Sequence, residues 1–436
     1  MMYPTKLPKG GVDPPSVITV PPGSTILNAP LPPRALIPLL QHAGSPARCL
    51  VKPGDPVTEG MLIGRAEGAR SAHVHSSIPG VVTHVGPCTL PSGETCDAVT
   101  IELGGSFQTS GKPAVRRPWE GMSRRDLLER IRSAGVVGLG GESQPTHLKL
   151  APEGRAVSLL AANGLDCEPS ISVDAALLRQ RPSEIVEGLR ICQVVLSPGR
   201  TVLAIGDQSE DLAAAFEGLI ANGGMKADVR VLPSRYPGGH EQLVASAIAG
   251  RPPSPDPSVV VINVATLHAV FEAVVLEKPL IERVISVSGF PLARPQNLKV
   301  RLGVRIGDLL EECGGSATDT RKVLVGGPMR GLSVDSLDLP VTKSTCGILA
   351  LGAAEARTAK ELPCIRCGAC IEACPWDLVP TRLFKLVRMG DTDAAFREGL
   401  GRCTECGCCS YACPSRIPLS SILGRGKHAN GREGHG

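Results

Sequence analysis

The sequence predicts a multidomain α/β protein that begins with a β domain and ends with a helical, cysteine-rich domain. Three observations support this fold class: β signals punctuated by Gly and Pro up to about residue 115, strand and helix patterns that alternate over 118–277, and two cysteine motifs within 364–413. A chain of 436 residues usually forms two to four domains. The boundaries that we predict are 1–115, 118–277, 280–340 and 355–425, with a disordered tail over 426–436.

The N-terminal part predicts a β domain of the barrel-sandwich type. The stretch VKPGDPVTEGMLIG at 51–64 alternates apolar and turn residues, and HSSIPGVVTHV at 75–85 is its expected partner. The pair resembles the two halves of biotinyl and lipoyl carriers, which hold a modified lysine between them. Because no lysine lies between Met61 and Val85, the sequence argues against a carrier role and favours a structural or docking module.

Residues 118–277 predict a mostly parallel sheet with helices on both faces. The segment opens with the helix pattern SRRDLLERIRSAG, which Ser123 can cap and Gly135 can end. Strand and helix patterns then alternate, as is typical of such sheets, whose ligands lie at the carboxyl ends of the strands. The predicted strands are 157–161, 202–205, 229–232 and 259–263, and the predicted helices are 184–194, 211–221, 241–249 and 267–275.

Two shorter stretches lead from this sheet to the cysteine region. Residues 282–331 predict a small α+β unit with two strands, a short helix at IGDLLEECG and a further strand. We expect a helical connector over 350–362. The tail after Arg425 is polar and rich in glycine, so we expect it to be frayed.

The two cysteine motifs carry the strongest functional signal in the chain. Both follow C-x2-C-x2-C-x3-C-P, the pattern of two-cluster ferredoxins, in which the fourth cysteine of each motif binds the other cluster. The first predicted [4Fe–4S] cluster takes Cys364, Cys367, Cys370 and Cys413. The second predicted cluster takes Cys403, Cys406, Cys409 and Cys374.

A pair of zinc sites is the alternative that cysteines at this spacing leave open. Structural zinc sites use two C-x2-C pairs, whereas each motif here supplies a triplet plus one cysteine, which favours the clusters. Cys408 is a ninth cysteine in this region, and the register favours Cys409 as the ligand. Helix patterns at PTRLFKLVRM and TDAAFREGL, between the motifs, predict a helical ferredoxin domain.

Composition argues against several other classes of protein. A net charge of +4 without a run of five basic residues argues against nucleic-acid binding. The longest apolar stretch, 259–276, is interrupted by Asn263, His268 and Glu272, so we expect a strand and a helix there rather than a membrane span. No export signal is visible, and most of the sixteen cysteines cluster at metal-ligand spacing, which favours a reducing cytoplasm.

A Gly-rich turn, GVVGLGGESQPTHLKL at 135–150, follows the first predicted helix. Its glycines would let backbone N–H groups approach a phosphate or a flat ring. Because Gly-rich turns are common, this turn alone is a weak indication of a ligand site.

Several stretches together resemble the RnfC family, the peripheral subunits of Rnf ion-translocating ferredoxin:NAD oxidoreductases. They are, in chain order, GGVDPP, IPLLQHAG, GLGG…PTHLKL, NGLDCEP, INVAT, KPLIERVISVSG, VGGPMRG and the paired cysteine motifs, and they extend over about residues 10–425. The resemblance implies a middle domain like the flavin- and NADH-binding subunit of respiratory complex I, followed by an SLBB domain of β-grasp-like fold. It also implies FMN and two [4Fe–4S] clusters as cofactors, with NAD(H) as the substrate.

The same resemblance implies which residues hold FMN. They belong to the Gly-rich turn, the lysine after it, the segment NGLDCEP and the turn NVAT: Gly138, Gly140, Gly141, Lys149, Asn163, Asp166, Glu168, Asn263 and Thr266. Lys149 is expected to offset phosphate or flavin charge. Asn263 and Thr266 are expected to donate hydrogen bonds at a strand-to-helix turn.

Three departures from the family pattern stand out. The family turn continues G-G-A-G/A-F-P-T, whereas here Glu142, Ser143 and Gln144 replace two small residues and the phenylalanine that would face a nicotinamide ring. Asp166 stands where glutamate is usual, and the loop YPGGHEQL is one residue shorter. These changes bear on NADH stacking more than on FMN binding, and Glu142 would repel a phosphate unless it turns outward.

The family implies an electron-transfer subunit, and so an enzyme subunit of a translocase, bound peripherally at the cytoplasmic face of the bacterial inner membrane. Its implied partners are the other Rnf subunits, including an iron–sulfur subunit and integral membrane subunits, with ferredoxin reached indirectly. Two alternatives stay open. One is a cobalamin-reductase-like flavin and iron–sulfur protein with the same layout, and the other is a relay subunit with an inactive NADH site, which the residues Glu142–Gln144 suggest.

Overall fold

The computed structural model describes residues 9–14, 20–21, 23–68, 70–107, 115–152, 154–166, 168–315, 318–357 and 360–429. Within these ranges the strands form four sheets. None of the helices in the described ranges combines the length and hydropathy that a membrane span needs.

The N-terminal part of the chain forms two small sheets. The first has the order β2-β8-β7-β4 and the second the order β3-β5-β6, and both are antiparallel. Buried aliphatic side chains, among them Ile37, Ile63 and Ile101, fill the space between the strands. Their strands are β2 Arg34–Pro38, β3 Arg48–Cys49, β4 Pro56–Val57, β5 Leu62–Arg65, β6 Val74–His75, β7 Gly80–Thr89 and β8 Thr95–Leu103. Strand β1 Leu27–Asn28 lies in the same part of the chain but pairs in parallel with Leu298 and Lys299, in a different sheet.

The middle part contains a four-stranded, fully parallel sheet of order β11-β10-β9-β12, as the alternating pattern predicts. Its first helix begins after Ser123, whose hydroxyl accepts a hydrogen bond from the Asp126 N–H at 3.2 Å. The elements are α1 Arg124–Ser133, α2 Thr146–Lys149, β9 Leu159–Gly164, α3 Val173–Gln180, α4 Pro182–Leu196, β10 Arg200–Gly206, a 3-10 turn Asp207–Leu212, α5 Ala213–Asn222, β11 Asp228–Leu232, α6 Glu241–Ala249, β12 Val259–Asn263 and α7 Val264–Val275.

Two boundaries in this sheet differ from the prediction and bear on the site. Strand β9 extends to Gly164, so Asn163 lies in the strand itself and is paired in register with Asn263 of β12. Helix α7 begins at Val264 rather than at 267, because the Asn263 side chain caps it by accepting a hydrogen bond from the Ala265 N–H at 2.8 Å. Both asparagines therefore lie side by side at the carboxyl edge of the sheet.

A six-stranded sheet of order β1-β14-β13-β17-β15-β16 follows, larger than the small unit that the sequence predicts. The predicted helical connector over 350–362 is wrong, because Gly347–Leu351 forms strand β17 and the described residues after it, 352–357 and 360–362, form turns and irregular structure. The apolar run GILAL is buried between β13 and β15, where its backbone groups complete the sheet. The elements are β13 Glu282–Ser288, β14 Gln296–Arg301, α8 Ile306–Glu312, β15 Lys322–Val325, β16 Leu332–Val334 and β17 Gly347–Leu351.

The C-terminal part is helical, including the two helices predicted between the cysteine motifs. Its helices are α9 Ala369–Glu372, α10 Pro380–Arg388, α11 Thr392–Arg397, α12 Cys408–Tyr411 and α13 Leu419–His428, with a 3-10 turn at Leu400–Arg402. Helix α13 continues past residue 426, into the segment predicted as a tail, and the Lys427 ammonium donates to the Cys403 carbonyl at 2.9 Å. Residues 430–436 of that tail lie outside the described residues.

Candidate functional site

An open cleft lies at the carboxyl edge of the parallel sheet, where β9 and β12 end. We call it the first cleft; it has about 790 Å³ of empty space, its open mouth included. Its walls are Gly138, Gly140, Glu142, Gln144, Thr146, Lys149, Asn163, Tyr236, Pro237, Gly239, His240, Glu241, Val261, Ile262, Asn263, Thr266, Arg330 and Cys406. Six of the nine residues predicted to hold FMN are in this set.

The Gly-rich turn is fixed against the end of the sheet. The Leu139 N–H donates to the Thr266 hydroxyl at 2.9 Å, and the Gly138 N–H donates to the Gln144 carbonyl at 2.8 Å. At Gly140 a Cβ atom would lie 3.1 Å from the Cβ of Asn263, so a side chain there would crowd the asparagine. Glycine at this position lets the turn approach the sheet edge closely.

The two asparagines at the sheet edge hold the walls of the cleft together. Asn163 donates from its side-chain amide to the Gly239 carbonyl at 2.8 Å, and Asn263 donates to the Asp174 carboxylate at 2.7 Å. The Asn263 carbonyl oxygen is also engaged as the cap of α7. Their first role in this arrangement is therefore to position backbone and carboxylate groups around the cleft.

Lys149 brings a positive charge into the first cleft, where two carboxylates surround it. It forms an ion pair with Glu241, and the Glu142 carboxylate lies 3.9 Å from its ammonium group. Burial raises the pKa of Glu241, and the Lys149 charge opposes that shift. The Glu142 side chain is half exposed and turns toward Lys149, so the carboxylate that departs from the family pattern meets a cation.

Three predicted residues do not line the first cleft. Asp166 lies behind it and accepts hydrogen bonds from the Asp174 N–H at 2.8 Å and the Gln208 amide at 3.2 Å. Burial raises the pKa of Asp166 to about 7, and burial together with Asp166 raises that of Asp174 well above its usual value. Gly141 and Glu168 instead line a neighbouring cleft.

This second cleft is larger, with about 1,140 Å³ of empty space including its mouth. Its walls come from 40–43 and 90–94 of the β domain, from the Gly-rich turn, and from the loop 325–332. The hydroxyl residues Thr342, Ser344 and Thr345 also line it. The two clefts share Gly140, Glu142 and Arg330, so they meet at one rim.

Sequence reasoning did not assign Tyr236, His240, Arg330 and Cys406 to this cleft. The stretches YPGGHEQL and VGGPMRG were recognisable in the sequence, but nothing in them indicated contact with a cysteine motif so far along the chain. In the structure the Tyr236 hydroxyl donates to the Cys406 carbonyl at 2.6 Å. The second cysteine motif therefore forms part of the wall of the first cleft.

The cysteines of the second predicted cluster surround a small cavity. Its walls include Cys374, Cys403, Cys406 and Cys409, together with Cys408. Burial raises the pKa of the Cys403 thiol to about 11, and the nearby Cys406 and Cys374 sulfurs add to the shift. Cys374, the fourth cysteine of the first motif, therefore lies with Cys403, Cys406 and Cys409 of the second motif.

In the first motif, Cys370 lies near Cys367 and near Cys413 of the second motif, and this part of the domain is more exposed. Burial raises the pKa of Cys370, and the neighbouring Cys413 and Cys367 sulfurs raise it further. Cys364 and Cys367 are exposed. Around them Leu362 and Ile365 are 52% and 67% exposed, so this end of the cysteine domain has an apolar surface.

The residues present fit the cofactors that the resemblance implies. The Thr146 hydroxyl lines the first cleft and is buried without a hydrogen-bond partner among the described residues. A bound ligand could supply the missing hydrogen bond to this hydroxyl. Lys149 supplies the cation that an FMN phosphate requires. The four thiols of the second predicted cluster line one cavity, and thiolates are the ligand type that [4Fe–4S] clusters take.

Four family models match the chain in the order that the sequence predicts. They are the RnfC barrel sandwich hybrid domain over residues 7–106, the Nuo51 FMN-binding domain over 131–272, the SLBB domain over 284–333 and the 4Fe–4S dicluster domain over 362–417. These matches confirm the predicted fold class. The chain has an FMN-binding domain and an iron–sulfur domain.

A solved structure supports the fold independently. The NAD+-reducing [NiFe]-hydrogenase in its air-oxidized state superposes with a TM-score of 0.51 at 19% identity, over 71% of this chain and 62% of that one. At this identity the likeness concerns the fold alone.

Two curated relatives match most of the chain, and each is named as the C component of a multi-subunit complex. The relative from the proton-translocating ferredoxin:NAD(+) oxidoreductase complex of Clostridium ljungdahlii is 35% identical over 385 residues, which is 86% of this chain and 83% of the relative. The relative from the ion-translocating oxidoreductase complex of Rhodobacter capsulatus is 36% identical over 400 residues, or 90% of this chain and 77% of the relative. Identity at this level over this length, together with the four domains in order, means that the chain belongs to the RnfC family.

Proposed function

We propose that this chain transfers electrons between NAD(H) and an iron–sulfur partner subunit of an Rnf-type complex. FMN would occupy the first cleft, and two [4Fe–4S] clusters would be bound by the crossed cysteine sets. The observation that carries the proposal is that Cys406, a predicted ligand of the second cluster, lines the first cleft together with the Gly-rich turn. With these occupants, a flavin site and a one-electron site would be adjacent within one chain.

The residues of the first cleft have distinct expected tasks. FMN, when bound, exchanges two electrons with NAD(H) as hydride and single electrons with iron–sulfur clusters. Lys149 would bind the phosphate, and the Thr146 hydroxyl would gain a partner. Thr266 and Asn263 would support FMN binding indirectly, because their side chains hold the Gly-rich turn and the start of α7 in place.

The second cleft is the route by which we expect NAD(H) to reach the flavin. It opens to the surface and meets the first cleft at the rim formed by Gly140, Glu142 and Arg330. Arg330 supplies a cation at this rim for a dinucleotide's phosphates. Glu168 lines this cleft rather than the first, so we expect it to contact the substrate rather than FMN.

The partner subunit is expected at the first cysteine motif. Its exposed cysteines and the apolar side chains of Leu362 and Ile365 lie on the surface, whereas the second motif is covered by the rest of the chain. An iron–sulfur subunit docked there would bring its own centre within reach. The chain's relatives are named as subunits of ion-translocating complexes, and we propose that this chain lies peripherally on the cytoplasmic face of a bacterial inner membrane.

The direct test is anaerobic purification followed by quantitation of flavin and iron. The proposal predicts one FMN and about eight iron atoms per chain, as two [4Fe–4S] clusters require. Protein that carried the full iron complement but bound no flavin, even after incubation with FMN, would contradict the proposal.

A relay subunit with an inactive NADH site is a second candidate function, which one observation favours. Glu142 and Gln144 occupy the mouth of the first cleft where the family has a small residue and a phenylalanine, so no aromatic face is offered to a nicotinamide ring there. NADH added to the FMN-loaded protein separates the two functions. Bleaching of the flavin favours the NAD(H)-linked function, and an unchanged flavin spectrum favours the relay.

A further inference from the structure

We infer that Tyr236 is a positioning residue that couples the binding of FMN in the first cleft to the assembly of the second cysteine motif. This inference rests on the proposed function, because it assumes that FMN and a cluster are the occupants of the two sites. It goes further by stating that each occupant strengthens the binding of the other through one identifiable hydrogen bond.

Tyr236 belongs to both sites at once. Its ring lines the first cleft and is 6% exposed, and its hydroxyl donates to the carbonyl oxygen of Cys406 at 2.6 Å. Cys406, whose backbone carbonyl accepts this hydrogen bond, also lines the cleft.

The backbone around Tyr236 is fixed to the cysteine domain from the opposite side. The Val12 N–H donates to the Tyr236 carbonyl at 2.8 Å, and the Gly11 N–H donates to the Ala373 carbonyl at 3.0 Å. Ala373 directly precedes Cys374, the fourth predicted ligand of the second cluster. The segment at 11–12 therefore ties the tyrosine loop to the crossing cysteine.

The same loop has a second link to that cluster. The His240 ring lines the first cleft and meets the Trp376 ring edge-on at 5.0 Å between centroids. The Trp376 indole N–H donates to the Gln242 side chain at 3.3 Å. Because this contact does not involve the Tyr236 hydroxyl, removing the hydroxyl should weaken the coupling rather than abolish it.

A cluster bound to Cys406 fixes the position of the carbonyl that Tyr236 needs. Without iron, the cysteine loop would be less constrained, and the buried phenol would then keep this hydrogen bond at an entropic cost or turn to the Glu168 carboxylate, whose oxygen lies 3.5 Å from the hydroxyl. A tyrosine held in one position should increase the affinity of the first cleft for FMN. By linkage, bound FMN should then increase the affinity of the second motif for its cluster by the same factor. The expected coupling through one buried hydrogen bond is about two- to twelvefold.

The test measures FMN affinity by quenching of flavin fluorescence in the full chain, with clusters loaded and after iron removal. We expect tighter FMN binding in the loaded protein, and a loaded-to-depleted affinity ratio that falls by about two- to twelvefold in Tyr236→Phe. Ser415→Ala is the matched control, because Ser415 likewise donates a hydroxyl hydrogen bond to a backbone carbonyl, that of Pro363 beside the first motif, at 2.9 Å. Its ratio should equal that of the unmodified protein.

A spectroscopic readout avoids iron removal. The electron paramagnetic resonance spectrum of the reduced second cluster should change when FMN is added to the unmodified protein and change less in Tyr236→Phe. A ratio of one in the unmodified protein, or an unaltered ratio in Tyr236→Phe, would overturn the inference. Protein that binds no FMN in any state would instead contradict the proposed function, so the two failures are distinguishable.

Discussion

Lys149 pairs with Glu241 inside the first cleft, and the carboxylate of Glu142 lies 3.9 Å from the same ammonium group. The cation that the family resemblance assigns to FMN is therefore held between two carboxylates. Its side chain is only 20% exposed, so the ammonium group is kept at a defined place in the cleft. A phosphate entering the cleft would share this cation with Glu241.

Replacement of the lysine tests whether it binds the phosphate. Lys149→Met should weaken FMN binding roughly 10- to 150-fold, because it removes a hydrogen bond between two charged groups. The dissociation constant is measured by fluorescence titration. Lys226→Met, at an exposed lysine that does not line the cleft, is the control and should bind FMN as the unmodified protein does. Equal affinities for the two variants would show that the phosphate lies elsewhere.

Removal of Glu142 tests the effect of the family departure. Glu142→Ala should tighten FMN binding by roughly two- to fivefold, since it removes a half-exposed negative charge near the expected phosphate and frees Lys149. The same titration at low and moderate ionic strength should show that salt reduces the gain. Weaker FMN binding in this variant would mean that Glu142 supports the ligand instead of opposing it.

Substitution of Glu282 tests how much its ion pairs stabilise the six-stranded sheet. Burial alone would raise its pKa, but Lys278, Lys299 and Arg301 lower it to about 2, so the carboxylate is charged at neutral pH. Glu282→Gln should reduce the free energy of unfolding by about 1.5–3 kcal/mol, because the buried Lys278 and Arg301 each lose one of two carboxylate partners and keep the other, Glu272 or Glu59.

Denaturant unfolding of the two proteins measures this difference. The control is Glu129→Gln, at an exposed carboxylate 3.6 Å from Arg132, which should change stability by less than about 1 kcal/mol. Similar losses for both variants would argue that the buried network adds nothing beyond an ordinary surface pair.

The carboxyl pair behind the first cleft predicts a pH dependence. Burial raises the pKa of Asp166 to about 7, from an ordinary value of 3.8, so between these values the folded protein holds a proton that the unfolded chain has lost. The free energy of unfolding that this group contributes should therefore decrease as pH rises from about 4 to 7, by up to about 1.4 kcal/mol per pH unit. Unfolding curves at pH 5, 6 and 7 should show a shallower decrease in Asp166→Asn. A slope unchanged by the substitution would mean that Asp166 is ionised in the folded state.

Much of the architecture was predictable because its signals are local. Hydrophobic periodicity predicted the parallel sheet, and cysteine spacing predicted that Cys374 joins the cysteines of the second motif, with which it lines one cavity. The strand Gly347–Leu351 was mistaken for part of a helix because a short buried apolar run has no period that distinguishes the two structures. Its strand character depends on neighbours far away in the sequence.

The junction between the clefts and the cysteine domain was not predictable for the same reason. Tyr236 and Cys406 are 170 residues apart, and their contact depends on how separate sheets and loops pack. The family resemblance placed nine residues around one flavin, whereas the structure divides them among two clefts and a buried carboxyl pair. A resemblance transfers residue types in order, but not which wall of which cleft each one forms.

NADH titration of the anaerobically purified protein, followed by visible absorbance and electron paramagnetic resonance, tests the central claim most directly. The proposed function predicts that NADH bleaches the bound flavin and that signals of reduced [4Fe–4S] clusters then appear in the same sample. Protein that holds FMN and both clusters, yet keeps its oxidised spectra under excess NADH, would contradict it.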